Sequence, residues 1–284
     1  EAGQATPQAA AGAIMRARRT IVVGDPVQVP PVVTWPQRLV ESVCRHFRVD
    51  PLQWAAPEAS AQILADRASN FQAAFAADPE PRRVGVPLLV HRRCQNPMFG
   101  ISNRIAYDGQ MVHAPAPCRP CAVADTLGSS CWLDISSPSS AKWSAAEGDM
   151  AYGLLQRLAD AGIAAPDAFI ITPFRNVSSG LRRAARERNA LFTALRADPK
   201  EWAERRIGTI HTFQGREADT VIFVLGAPGT AEVGARMWAG NAPNILNVAV
   251  SRAKRNLYVI GSYDAWSRIG HFAAMADALP RVRT

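Results

Sequence analysis

Lysine is nearly missing from this chain: Lys142, Lys200 and Lys254 are the only three among 32 basic residues, and the other 29 are arginine. A guanidinium fork holds phosphate better than an ammonium does, although so uniform a bias equally fits genomic composition. Long apolar runs are missing too. No stretch approaches the roughly 18 residues of a membrane span, so a membrane partner is excluded, while a 48% hydrophobic content still allows a sizeable core. The N-terminus lacks a basic region followed by an apolar stretch, so it does not read as a signal peptide. The chain opens on Glu1 rather than Met, which leads us to expect a fragment, a processed product or an excised domain. There are only five cysteines, Cys44, Cys94, Cys118, Cys121 and Cys131. An odd number without secretory features points to reduced thiols and a cytoplasmic location. Cys118 and Cys121 have half the spacing of a zinc site, with Cys131 a candidate third ligand. No second pair follows, and the nearest histidine, His113, lies upstream, so no metal site is assigned. Internal repeats are absent. What is present in excess is positive charge: 32 basic against 24 acidic residues, a net +8, suits an anionic partner such as nucleic acid.

Apolar β-branched runs predict strands at Thr20–Val23, Val86–Val90, Cys131–Ile135, Ala168–Thr172, Thr220–Leu225 and Leu257–Ile260. Helical spacing predicts helices ending near Arg18, over Pro36–Phe47, after Asn96 and Pro97 up to Tyr107, over Glu147–Leu158, Val177–Ala197 and Asn244–Lys254, and through Trp266, Ile269, Phe272 and Leu279. Ala227–Gly240 reads as a glycine-rich loop. Between Asp50 and Arg83 the composition shifts to Ala, Pro and Gln, which reads as a linker with weak helices or an inserted helical lobe, and as the domain boundary. Strands alternating with helices mean an α/β fold around a mainly parallel sheet covered on both faces. A basic face on the Val177–Ala197 helix, Arg182, Arg183, Arg186 and Arg188, is either a phosphate track or an ordinary solvated surface.

Polar groups recur where these strands are expected to end: Gln28, Arg93, Thr172, Thr209 and Gln214, with Arg252 on the helix before the Leu257 strand. Open α/β sheets commonly bind ligands there. In order and spacing the set resembles the motifs of superfamily 1 helicases, with the nonsense-mediated-decay and nuclease-linked 5′→3′ subgroup the nearest match. Glu1-Ala2 resembles the tail of a Walker B motif, Gly24–Pro31 motif III, and His91-Arg92-Arg93 motif IV. Gly208–Glu217 resembles motif V, and Asn247–Lys254 motif VI.

The resemblance implies two RecA-like domains: residues 1–48 as the end of the first, 49–85 as a linker or insertion, and 86–284 as a complete second. It implies catalytic roles for Glu1 toward the attacking water, Gln28 as γ-phosphate sensor, and Arg93 and Arg252 as arginine fingers. Gln214, Gly215 and Glu217 would meet the nucleotide. Thr172, Pro173, Thr209, Thr212 and Ser251 would meet single-stranded DNA or RNA. ATP and Mg²⁺ are the implied cofactors. Yet no lysine follows a glycine anywhere, so the Gly-Lys-Ser/Thr loop that cradles phosphates is missing. Both cofactors would therefore need an N-terminal, P-loop-bearing half as partner, and the chain alone is expected to be inactive. Two other readings stay open: a non-catalytic nucleic-acid-binding module that kept the fold, and a domain that docks a P-loop-bearing partner in trans.

Overall fold

Alanine and glutamine favour helix over sheet, and the first part of the chain follows that preference. The computed structural model describes residues 1–76, 81–117 and 121–284, which form two compact units, Glu1–Leu89 and Val90–Thr284. In the first unit, α1 (Pro7–Met15) begins on a proline, whose fixed φ suits a first turn. It is followed by α2 (Gln37–His46), α3 (Pro51–Trp54) and α4 (Ala61–Ala68). The Asp50 carboxylate accepts from Leu52 N and the Ser60 hydroxyl from Ile63 N, capping α3 and α4. Strands β1 (Ala73–Phe75) and β2 (Arg82–Val84) pair antiparallel.

Two expectations fail in this unit. Thr20–Val23 is not a strand, and Ile21 is 90% exposed. An apolar run becomes a central strand only with ladder partners on both sides, and here Val23 meets only the amino groups of Glu1 and Ala2 through its carbonyl. Likewise α2 forms, but Leu39, Val43 and Phe47 of its stripe are exposed and only Cys44 is buried.

The second unit is an α/β fold. Its elements run β3 (Val90–His91), α5 (Met98–Ala106), β4 (Val112–His113), α6 (Ala122–Leu127), β5 (Cys131–Asp134), α7 (Ala145–Asp160), β6 (Ala168–Thr172) and α8 (Arg175–Arg186). They continue with α9 (Asn189–Ala194), α10 (Pro199–Arg206), β7 (Ile207–Thr209), β8 (Ala218–Val224), α11 (Val233–Gly240), α12 (Asn244–Ser251), β9 (Ala253–Gly261), α13 (Tyr263–Trp266), α14 (Phe272–Ala278) and β10 (Arg281–Arg283). Six strands form one sheet in the order β10-β5-β9-β8-β6-β7, every neighbour parallel. Ile170, Ile171, Ile222, Phe223, Val259 and Ile260 are fully buried in its centre, as uninterrupted apolar runs in a helix-flanked sheet should be. No helix among the described residues is long and apolar enough to cross a membrane.

Several boundaries differ from the sequence reading, each for a tertiary reason. Val86–Val90 contributes only Val90 to a strand, and Val86 and Leu88 are exposed. The single helix expected over Val177–Ala197 is broken into α8 and α9. Arg188 caps the break, donating to Ala184 O at 2.8 Å and to Asp149 and lying 4.7 Å over the Tyr152 ring. Ala227–Gly240 is not wholly loop, because it winds into α11, held by Arg236 Nη1 donating to Ala227 O (2.6 Å) and Gly229 O (2.7 Å). Ile207–Thr209 is an edge strand rather than part of a loop. A methyl on Gly208 would press on Thr212 Cβ at 2.8 Å, so the bare backbone lets the chain fold straight back into a 3₁₀ turn over Ile210–Phe213. Finally, β10 pairs with β5, and Arg281 clamps Asp134 at 2.6 Å.

Candidate functional site

Helix α12 buries Leu246, Val248, Ala249 and Val250, which carries its last turn and Arg252 into the interior directly before β9. Arg252 is 1% exposed. Its Nη1 donates to Arg216 O at 3.0 Å and Nη2 to Ser251 Oγ at 3.2 Å, while Nε has no hydrogen-bond partner. Arg93 reaches the same place from the connection between β3 and α5. That connection is pinned to the turn before β9 by Gln95 N donating to Lys254 O (2.8 Å) and by Cys94 Sγ donating to Ser251 O (3.5 Å). Arg93 Nε then pairs with Glu217 Oε2 at 2.8 Å, both side chains about four-tenths exposed. Burial, then the charge of Arg93, lowers the Arg252 pKa to about 10. Glu217 acts in the other direction, favouring the charged guanidinium. Burial also pushes the Cys94 thiol up to about 12, which makes it a poor nucleophile.

This arrangement could bind an anion with several oxygens. A guanidinium is costly to bury without full pairing, and here one buried N–H is orphaned beside a second, half-exposed guanidinium. Arg93, Arg252, Glu217, Ser251, Gln214 and Gly215 all belong to the connections around the amino ends of β8 and β9, where Ala218 pairs with Ala253. Arg93 follows β3 and Gln214 follows β7 in the chain, and Arg252 follows α12 directly before β9. Gly215 is exposed with φ +78, which lets the Gln214–Glu217 turn reverse toward β8. Ser251 is turned inward, its hydroxyl donating to Val248 O at 3.2 Å. Beside Arg93, the neutral His91 ring accepts from Cys94 N at 2.9 Å, and burial lowers its pKa further from protonation.

The opposite edge carries the threonines. Thr172 closes β6 opposite Thr209 of β7, but Thr172 and Pro173 are buried, and the Thr172 hydroxyl accepts from Phe174 N at 3.4 Å. Thr209 and Thr212 reach the surface, their hydroxyls 3.4 Å apart. His211 lies between them in the chain, and partial desolvation of its ring, then the charge of Arg175 at the start of α8, lowers its pKa. The segment after the 3₁₀ turn crosses the sheet between these edges. On the way Phe213 stacks on Phe169 at 4.4 Å, and Arg216 lies 5.0 Å over the same ring.

In the first unit, the peptide of Glu1–Gly3 lies against Gly24 and Asp25 so closely that a methyl on Gly24 would meet Gly3 N at 2.6 Å. The Gln28 amide donates to Asp25 Oδ2 at 3.1 Å, and Asp25 Oδ1 accepts from Val27 N at 2.9 Å. The turn around Gln28 is thus built by Asp25, which the sequence reading did not single out.

Of the helical arginine face, Arg182 donates to Ile207 O at 2.7 Å and Arg188 is the cap already described, so only Arg183 and Arg186 face solvent. The zinc candidate is not assembled. Cys118 lies outside the described residues, Cys121 Sγ accepts from Asn256 at 3.4 Å, and Cys131 is buried. Among the described residues no group of three His, Cys, Asp or Glu side chains could hold a metal ion. Sequence reasoning also missed Glu147, a fully buried carboxylate at the start of α7 that accepts from Gly226 N at 2.8 Å while its other oxygen has no partner. Its position in an amphipathic helix gave no sign of burial.

Compared with known families, residues 75–264 match the model of the AAA domain family designated AAA_12. No curated protein matches the chain.

Proposed function

This chain belongs to the AAA domain family typical of the C-terminal region of superfamily 1 helicases, and from that premise we propose that it is the C-terminal part of an ATP-dependent helicase that moves along single-stranded DNA or RNA. The observation that carries the reading is that Arg93 pairs with Glu217 while the buried Arg252, with an orphaned N–H, donates to the carbonyl of the adjoining residue Arg216. Hydrolysis of ATP builds charge on the γ-phosphoryl oxygens, and the protein's task is to position and neutralise it. Arg252, rigid and preorganised by Arg216 and Ser251, holds its donors in place. Arg93 is freer and would exchange Glu217 for phosphate when nucleotide enters. Glu217, once released, would accept from the ribose hydroxyls. In the first unit, Gln28 on its Asp25-built turn would sense the γ-phosphate, and Glu1 would orient the attacking water. The described residues offer no group of three His, Cys, Asp or Glu side chains for Mg²⁺, which would be held by the P-loop-bearing half.

Thr209 and Thr212 would touch the nucleic-acid backbone, with buried Thr172 and Pro173 shaping their neighbouring loop. The segment between the arginine edge and the threonine edge, braced by Phe213 and Arg216 on Phe169, would couple nucleotide state to grip. The exposed apolar side chains Ile21, Val23, Leu39 and Val43 of the first unit suit cover by a P-loop-bearing half.

The test is kinetic. In the protein joined to such a half, Arg252→Ala should lower ATPase kcat by about 10³–10⁵, as loss of an arginine finger does elsewhere. Arg252→Lys should recover little, because an ammonium lacks the planar fork. Unchanged turnover in Arg252→Ala and Arg93→Ala would overturn the assignment. The 284-residue chain alone is expected to show no ATPase above background.

A further inference from the structure

Five tryptophans lie in the second unit, and four have clear structural work. Trp132, Trp202 and Trp266 are buried, and Trp143 is wedged where a methyl on Gly148 or Gly180 would overlap its ring. Trp238 is different: it is 57% exposed, on the solvent side of α11. Its helix is not loose. Arg236 ties the start to Ala227 O and Gly229 O, and at the other end His271 N donates to Gly240 O at 3.1 Å. A methyl on Gly240 would strike Ile269, so that end is closely packed. A large aromatic held rigid in water forfeits the burial that would stabilise it, and it is preorganised to cover something else.

The surroundings say what. α11 follows the carboxyl end of β8, and the Trp238 ring sits 6.1 Å from that of buried Phe174, which follows the carboxyl end of β6. Lys142 Nζ lies 5.8 Å over the other side of this small cluster, on the Phe174 ring. Exposed Arg175 comes next, its charge felt by His211, and His211 lies beside the hydroxyls of Thr209 and Thr212. The Glu232 carboxylate, just before α11, accepts from Gly229 N, Ser139 Oγ and Lys142 N, which disperses its charge. An exposed aromatic that shares the Phe174 ring with one cation, Lys142, with Arg175 next in the chain and the threonine loop beyond it, has the chemistry to hold a strand whose phosphates meet the cations while a base stacks on the ring.

We propose that Trp238 is a base-stacking platform for single-stranded nucleic acid at the carboxyl edge of the sheet. This rests on the nucleic-acid reading above and adds to it a sequence-tolerant grip on one base, set next to the threonine loop. Stacking on an aromatic side chain is indifferent to base identity, as a translocating protein requires.

The experiment measures anisotropy of a short fluorescein-labelled oligothymidylate with the full chain, at low and raised salt. Trp238→Ala should weaken binding about 5- to 100-fold, the range that loss of one stacked base gives, and Trp238→Phe should lose less. The salt slope should be unchanged, because no phosphate contact is removed. With an abasic strand, wild type and Trp238→Ala should bind alike. A strand carrying 5-iodouracil should cross-link to the tryptic peptide Met237–Arg252. Equal binding of wild type and Trp238→Ala to oligothymidylate would overturn the stacking role while leaving the nucleic-acid reading intact. Wild type that binds no strand even at low salt would overturn both, and the exposed Trp238, Met237 and Val233 would then mark a protein contact.

Discussion

Buried Glu147 and half-buried His91 are both titratable, and they bend stability in opposite directions with pH. Burial raises the Glu147 pKa to about 8, with the hydrogen bond from Gly226 opposing and the charge of Glu232 adding. Below its ordinary value of 4.5 the carboxyl is protonated in folded and unfolded chains alike, so it carries no penalty. Between that value and about 8 only the unfolded chain ionises, and stability falls steadily as pH rises. Glu147→Gln, which keeps the acceptor for Gly226 N, should raise the urea midpoint above about pH 8 and have little effect near pH 4.5. A midpoint difference that does not change with pH would refute this. His91, His211 and His271 are lowered by burial, so they resist protonation that the unfolded chain accepts. Their contribution is complete above the ordinary 6.5 and is lost as pH falls below it. His91 adds a specific reason, since its protonation would remove the acceptor for Cys94 N next to Arg93.

Among elements, the contact between α7 and α8 is set by two absent side chains. Gly148 and Gly180 leave the space that the Trp143 ring fills from between the helices. Gly180→Ala would gain about 1 kcal/mol of helix propensity. It would also drive a methyl to within 2.4 Å of the Trp143 ring, which is held against Gly148 on its other contact, an overpacking cost of about 1–3 kcal/mol. The expected outcome is net destabilisation in urea denaturation, against the usual stabilising effect of replacing a helical glycine. The break between α8 and α9 belongs to this scale as well. Leu181, Leu191 and Leu195 are all buried, as the helical stripe predicted. The stripe could not reveal that Arg188 leaves solvent to meet Asp149 and Tyr152, because those partners lie about forty residues upstream in the chain. Arg183 and Arg186 remain exposed after Arg182 and Arg188 are used, so the double variant Arg183→Ala/Arg186→Ala should weaken strand binding only modestly. It should reduce the salt slope by no more than about 2.

For the whole molecule, the parallel arrangement puts two chemistries at opposite ends of one sheet. The arginines gather at the amino ends of β8 and β9, and the threonines with Trp238 at the carboxyl ends of β6, β7 and β8. Binding of single strands by the full chain should accordingly be strongly salt-sensitive and need no nucleotide, because the strand surface is complete without the arginine edge. Binding that requires ATP would contradict this separation. The α/β class and most second-unit strands were legible in advance, because continuous apolar runs and helical stripes report burial directly. The first unit was less legible: Thr20–Val23 has the composition of a buried strand but lacks the neighbours that make one.

The sequence by itself determined the central buried strands around Ala168–Thr172, Thr220–Val224 and Leu257–Ile260, the order of the polar groups Gln28, Arg93, Thr172, Thr209, Gln214 and Arg252 along the chain, and the lack of a Gly-Lys-Ser/Thr loop among its residues. Only the tertiary structure decided which end of the sheet each motif occupies, that Arg252 is buried with an unpaired donor while partly exposed Arg93 pairs with Glu217, and that Trp238 faces water. The physical reason is that hydrophobic period and turn chemistry are local properties, encoded within a few residues. Burial of a polar group, the charge it feels and the exposure of an aromatic depend on partners tens to more than a hundred residues away along the chain, brought close only by the parallel crossovers.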